Sequence, residues 1–175
     1  MPAPFPVVLA PHDPRWAEAA RVEAERLPRV LPEGTLDETH HIGSTAIEGL
    51  IAKPILDLLP VIADADAFDA ARPALEAAGY LWWGEYGLPG RRYLTREVDG
   101  VRIAHLHAYV RGSDEITRHL AFRDYVRAHP AVRDAYAAEK ERARSVAEGT
   151  YGYADEKAAF VRRVEADALR WLKGG

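Results

Sequence analysis

The run 50–62 is the most apolar part of this chain, yet it holds two prolines, Lys53 and Asp57. It is far too short to cross a bilayer as a helix, which takes about 20 apolar residues. Prolines bound its second half, so 54–62 is predicted as a buried strand rather than a helix. Asp57 then faces the same way as Ile55 and Leu59. An unpaired carboxylate there costs several kcal/mol or loses its charge, so Asp57 needs a partner. A metal ion, a cation such as Lys53, or backbone donors would serve, and a purely structural salt bridge satisfies the same requirement.

Around that strand the pattern alternates between helical and extended. Asp13 and Pro14 form a helix start, and Trp16, Ala19, Ala20, Leu27, Val30 and Leu31 follow at helical spacing, with Pro28 expected to end or kink the helix. Residues 36–42 form a weaker strand. A second helix is predicted over 64–78, with Phe68 and Leu75 inward, Pro73 as an irregularity and Gly79 at its C-terminal cap. Extended segments follow at 80–83, 92–97 and 101–110, the last two joined as a hairpin by Asp99-Gly100. Ser113 caps a third helix to about His129, Pro130 opens a fourth that stops near Gly149, and 155–172 forms a fifth. Helix, mixed sheet and a helical C-terminal third make an α/β (α+β) fold in one domain, 1–175.

Composition removes whole classes of function. With 175 residues, 48% apolar and 29% charged, the chain can bury a sizeable core. There is no cysteine, which excludes disulfides, thiolate zinc sites and a thiol nucleophile. A formal net charge of −4 provides no basic field for DNA or for an anionic membrane, so any anion site is local. The first residues lack a basic, apolar leader pattern. A cytoplasmic protein is expected, with no membrane partner and no protein partner specified by the sequence.

Three segments carry candidate chemistry. Gly43-Ser44-Thr45 follows the strand 36–42; a glycine there lets backbone approach a ligand, and the hydroxyls can donate to phosphate oxygens, although an ordinary capped turn reads the same. His105 and His107 lie two apart in an alternating run, so both imidazoles face one side, about 7 Å apart at Cα, near enough to share a metal or a phosphate. His41 and its neighbour His40 face opposite ways, so at most one joins such a site. Arg91 and Arg92 end the glycine-rich loop 84–90 and suit phosphate. His119, Arg123 and Arg127 form a basic stripe on the third helix, a pattern expected of a solvated face.

Read together and in order, several stretches resemble the GrpB family, small bacterial proteins related to nucleotidyltransferases. They are Asp13-Pro14-Arg15-Trp16, His41-Ile42-Gly43-Ser44-Thr45-Ala46 with Gly49-Leu50, and Ala52-Lys53-Pro54-Ile55 with Asp57. Gly87-Leu88-Pro89-Gly90-Arg91-Arg92, His105-Leu106-His107 and His119-Leu120-Ala121-Phe122-Arg123-Asp124-Tyr125 complete the set, which spans 8–172. A related module is fused to dephospho-CoA kinases in some bacteria. The resemblance implies a nucleotidyltransferase-like mixed sheet with flanking helices, a Gly-Ser phosphate turn at Gly43 and Ser44, and a metal-binding carboxylate at Asp57. Leu59 stands where such enzymes carry a second carboxylate, and His105 and His107 replace the third. His40 stands where relatives often have Glu, and Glu48 where Pro is common.

The resulting expectation is a nucleotidyltransferase-like protein. Gly43, Ser44, Thr45, Lys53, Arg91 and Arg92 would hold a nucleotide or another phosphate-containing small molecule. Asp57, His105 and His107 would bind one divalent metal ion (Mg, Mn or Zn), with Asp57 as the catalytic carboxylate and His41 and Arg123 as further candidates. The missing carboxylates leave open a binding module without turnover, and the imidazoles leave open a metal-dependent phosphoesterase.

Overall fold

A computed structural model describes residues 7–174, so the reading of the first six residues lies outside the described part. Helix α1 (Arg15–Ala24) starts where Asp13 accepts the Arg15 amide at 2.9 Å, and Trp16 and Ala20 are buried while Ala19 is exposed. Pro28 does not end this helix. It lies in the first turn of a separate short helix, α2 (Leu27–Val30), where its missing N–H costs nothing.

Five strands form one sheet in the order β1-β2-β5-β4-β3: β1 (Leu36–Ile42), β2 (Leu56–Ile62), β3 (Tyr80–Trp82), β4 (Arg92–Val98) and β5 (Val101–Val110). Only β2 and β5 run parallel; the other neighbours are antiparallel. Pro60 sits inside β2, a central strand, which its lack of an N–H should forbid. The ladder to β5 pairs Leu58 with Leu106 and resumes at Val61 with Tyr109, so the proline falls in a gap of that ladder. The predicted hairpin closes through Asp99 and Gly100, whose φ angles of 51° and 77° fit the tight turn that matches strand twist.

The predicted helix over 64–78 is two helices, α3 (Ala65–Ala70) and α4 (Arg72–Ala77), because Pro73 starts a new first turn instead of bending an old one. Both still turn Phe68 and Leu75 inward, and with α1 and α2 they cover the sheet face built from Leu56, Leu58, Leu94, Ala104 and Leu106. The last three helices are α5 (Asp114–Ala128), α6 (Pro130–Val146) and α7 (Gly149–Gly174). Helix α7 begins six residues before the predicted 155, carrying Gly152 within it, and its early turn buries Tyr153. Helices α5 to α7 pack together through Val126, Tyr136, Phe160 and Val164. Through Ile116 and Leu120, α5 lies on the opposite sheet face at Ile42, Leu59 and Tyr109. Among the described residues no helix is long and apolar enough to cross a membrane.

Candidate functional site

The site grows from the end of β1. Antiparallel register pairs Ile42 with Asp57, so the next residue passes directly over the Asp57 side chain. Gly43 fills that place with φ 68° and ψ −167°, a region essentially closed to residues with a Cβ. A Cβ there would lie 2.8 Å from Asp57 Cβ and 2.9 Å from Cγ, and closer still to Oδ2. The chain then turns through Ser44–Ala46 as a single 3-10 turn, closed by Ala46 N donating to Gly43 O at 3.3 Å.

Parallel register sets Asp57 beside His105, and the two-residue pleat repeat brings His107 to the same face. Asp57 Oδ1 lies 3.2 Å from His105 Nδ1 and 3.5 Å from His107 Nε2. Burial works against the Asp57 charge, yet its contacts with the two imidazoles outweigh that and hold the carboxyl well below its usual range. Burial also pushes His107 down, against the pull of Asp57. The triad is therefore a carboxylate facing a neutral imidazole at His107, and Asp57 keeps 30% side-chain exposure toward a cleft. His105 Nε2 is buried with no hydrogen-bond partner among the described residues.

That cleft, about 320 Å³, brings Ser44 and Thr45 of the turn together with Asp57, His105 and His107 of the sheet, and with Lys53 from the loop before β2. Its other wall comes from the C-terminal helices: Lys140 of α6, and Tyr153 and Lys157 of α7. Lys140 was not legible as a site residue. Only 2% exposed, it extends Nζ to Ser44 Oγ at 2.6 Å and to the Ile51 carbonyl at 2.8 Å. Burial pushes its amine well below the ordinary lysine range, and Lys157 and Lys53 push the same way against Asp57. Lys53 is lowered too, chiefly by burial. The available signal was spacing, since Lys140 shares the buried face of α6 with Tyr136 and Ala143.

The remaining candidates divide between the two faces of the sheet. Arg91 is 7% exposed and bonds its own loop, Nε to the Glu85 carbonyl at 3.1 Å and Nη2 to the Tyr86 carbonyl at 2.6 Å. Its Nη1 stands 3.5 Å from His107 Nδ1, and its guanidinium lies 4.8 Å from the Tyr93 ring centroid. It therefore braces the triad from outside the cleft. Arg92 corrects the expectation of a paired arginine site: one residue further along, it points to the opposite face and forms a bidentate pair with Asp69, at 2.8 and 2.7 Å. His41 also faces away from Asp57 and meets Thr45 Oγ1 at 2.9 Å, with burial lowering its pKa to about 4.

The basic stripe on α5 is not a solvated face. Arg123 donates to the His41 carbonyl at 3.1 Å, and Arg127 donates to the Ala46 carbonyl through Nε at 2.9 Å and Nη2 at 2.6 Å, so they pin α5 to the end of β1 and to the turn that follows it. The His119 ring lies tilted against that of His107, 5.7 Å between centroids, and burial lowers its pKa to about 3.

The donor set fits a transition metal. One donor atom from each of Asp57, His105 and His107 lies within 4.8 Å of the others. The two Asp57 to imidazole separations match the roughly 3.4 Å edge of a tetrahedral site with donors about 2 Å from the ion. Two imidazoles and one carboxylate suit Zn²⁺ or Mn²⁺ better than Mg²⁺, which prefers oxygen, and they leave a coordination position open. Leu59 is fully buried against Ile42 and Tyr109, so the sheet offers no second carboxylate beside Asp57.

Comparison with known proteins agrees with this architecture. The chain is 38% identical over 165 residues to the UPF0157 protein YqkA of Bacillus subtilis, an alignment that takes in 93% of this chain but 47% of YqkA, so the chain spans about half that relative's length. The crystal structure of the conserved protein GrpB from Enterococcus faecalis superposes with a TM-score of 0.87 at 35% identity, over 94% of this chain and 99% of that one. A dephospho-CoA kinase of Mycobacterium tuberculosis is 36% identical over 78 residues, 43% of this chain and 19% of the kinase. Residues 6–167 match the GrpB protein family, and the chain belongs to that family.

Proposed function

We propose that the cleft binds a nucleoside triphosphate, or another phosphate-rich small molecule, together with one divalent transition metal, and that the protein acts as a nucleotidyltransferase-like enzyme. The observation that carries this reading is the convergence of Asp57, His105 and His107 with Ser44 and the lysine side chains in one cleft. Asp57, His105 and His107 would hold the metal, which supplies a Lewis acid and charge neutralisation at a phosphoryl oxygen. Lys53 and Lys157 supply cations for the remaining phosphate charge, the Ser44 hydroxyl donates to it, and burial strengthens each contact. A single imidazole-rich metal site replaces the two-magnesium arrangement that a second carboxylate at Leu59 would have allowed.

Thermal shift tests this directly, with Zn²⁺, Mn²⁺ and Mg²⁺ each alone and with each of the four nucleoside triphosphates. At 100 times its Kd a ligand stabilises by about 2.7 kcal/mol, which for a chain of this size raises Tm by about 5–10 °C. Asp57→Asn should abolish the metal-dependent part. Release of pyrophosphate by a stabilising combination supports transfer, whereas binding without release identifies a module that lacks turnover. No shift with any metal or nucleotide overturns the reading.

A further inference from the structure

We propose that Ser44 is a nucleophile and Lys140 its general base, so that the cleft forms a covalent phosphoseryl or nucleotidyl-seryl intermediate. The substrate class rests on the phosphate reading above, but the nucleophile does not.

The geometry is that of an activated hydroxyl. Ser44 opens the 3-10 turn directly after a glycine in a conformation other residues avoid, which sets its side chain in the cleft beside Asp57, His105 and His107. Lys140 Nζ reaches Ser44 Oγ at 2.6 Å from a helix 96 residues later in the chain. Its other hydrogen-bond partner, the Ile51 carbonyl, is neutral, and the Tyr136 ring centroid lies 4.9 Å from Nζ. A lysine spent only on tying α6 to the turn would bury an ammonium against neutral oxygens, an arrangement that costs free energy without serving packing. An unprotonated amine avoids that cost and offers a lone pair to the serine proton.

The surrounding groups pull in both directions, and burial decides between them. Lys53 precedes β2 and Lys157 comes from α7, and both raise the positive potential; Asp57 on β2 and the face of the Tyr136 ring, 4.9 Å from Nζ, oppose them, and Tyr153 completes the enclosure. Burial is the largest influence and acts in the same direction as the two lysines. Nucleophilic serines paired with a base at hydrogen-bond distance follow this logic on many folds.

In the chemical step Nζ takes the hydroxyl proton as Oγ bonds to phosphorus. The P–O bond of the phosphoanhydride or phosphoester breaks, its electron pair leaves with the departing oxygen, and the new ammonium returns the proton to that oxygen. Water or an acceptor hydroxyl then attacks the phosphoseryl phosphorus, giving its proton to Nζ, and the Ser44 alkoxide recovers one from the ammonium.

An organic fluorophosphate such as diisopropyl fluorophosphate tests the nucleophile without metal or nucleotide, read by intact mass and peptide mapping of the folded chain. The expected result is an adduct on Ser44, absent in Ser44→Ala, and formed at least about 100-fold more slowly in Lys140→Met, the usual size of a general-base contribution. The wild-type rate should rise with pH through a midpoint below the ordinary lysine value of about 10.4. If Lys140→Met does not fold, Lys140→Arg serves: arginine still donates to Ser44 but gives up no proton at these pH values, so labelling should fall equally, whereas a purely structural lysine predicts full labelling. No Ser44 adduct on the folded wild type, or wild-type labelling rates in the lysine variants, overturns the proposal. Either outcome leaves the metal and nucleotide thermal shifts to stand or fall separately.

Discussion

Gly43→Ala isolates the contact on which the site is built. Two costs are separable. The backbone at φ 68° and ψ −167° lies in a region open essentially to glycine alone, and forcing alanine into it costs about 1–3 kcal/mol. The added methyl also meets Asp57, 2.8 Å from Cβ and 2.9 Å from Cγ, which must move at a further cost of about 1–3 kcal/mol for overpacking. A total loss of about 2–6 kcal/mol is expected in urea unfolding followed by tryptophan fluorescence, since four tryptophans report on the fold. The two costs part in a double-mutant cycle with Asp57→Gly, which removes the three atoms nearest the methyl but leaves the backbone cost. A coupling of about 1–3 kcal/mol between the sites is expected. Because Asp57 is displaced, metal-dependent stabilisation of Gly43→Ala should also vanish. A loss below about 1 kcal/mol, or the same loss in both backgrounds, would refute the close approach as the reason for this glycine.

The low pKa values of His41 (about 4) and His119 (about 3), both set chiefly by burial, mean that the unfolded chain takes up protons near pH 6.5 that the folded chain refuses. Together these two groups should lower the stability of the metal-free protein by about 3–4 kcal/mol between pH 7 and pH 5, to which the lowered His107 adds in the same direction, and His119→Phe should remove about 2 kcal/mol of that fall in urea melts. Glu23 is buried and accepts from Tyr80 Oη at 2.7 Å and Arg96 Nη1 at 2.8 Å, so Glu23→Ala should cost about 3–5 kcal/mol by leaving Arg96 uncompensated; a loss under 1 kcal/mol contradicts it. Arg92→Ala, which removes only the half-exposed pair with Asp69, should cost about 1 kcal/mol or less and leave any nucleotide-dependent thermal shift unchanged. A lost shift would return Arg92 to the site.

The parts of this site that were readable in the sequence are those fixed by local periodicity. Alternation alone put His105 and His107 on one side of a strand, and the apolar setting of Asp57 demanded a partner. The same alternation separates adjacent residues, so Arg92, which opens a strand with Leu94 on its own side, could have been assigned to the face opposite Arg91. What alternation cannot supply is register between strands: the pairing of Asp57 with His105 spans 48 residues and depends on the parallel contact of β2 and β5. Proline marks an irregularity at both 28 and 73; periodicity does not show that its fixed φ and missing N–H make it a first-turn residue of a new helix at each place, so the end or kink expected at Pro28 and the single helix expected over 64–78 both give way to a helix start. The stripe on α5 departs from a solvated face because arginine carries an apolar stem and five donors; Arg123 and Arg127 reach the backbone carbonyls of His41 and Ala46.

Lys140 shows where a violated pattern carries more information than a satisfied one. Helix α6 reads as an ordinary amphipathic helix, in which a lysine between Tyr136 and Ala143 on the inner face is a conflict. Packing alone would select against it, because an apolar residue of similar length fills the space without desolvating an amine. Its burial requires a gain elsewhere, and of its two polar partners, the Ser44 hydroxyl at 2.6 Å and the Ile51 carbonyl at 2.8 Å, only the hydroxyl carries a proton it could take. Conflicts between local pattern and global burial concentrate at functional sites. Asp57 in its apolar strand and Lys140 on its apolar helix face are two such conflicts, distant in sequence, that open into one cleft. Each alone permits a structural explanation. A shared cleft does not follow from stability, since opposite charges placed to stabilise would pair with each other, whereas here Asp57 faces imidazoles and Lys140 faces a hydroxyl and a backbone carbonyl.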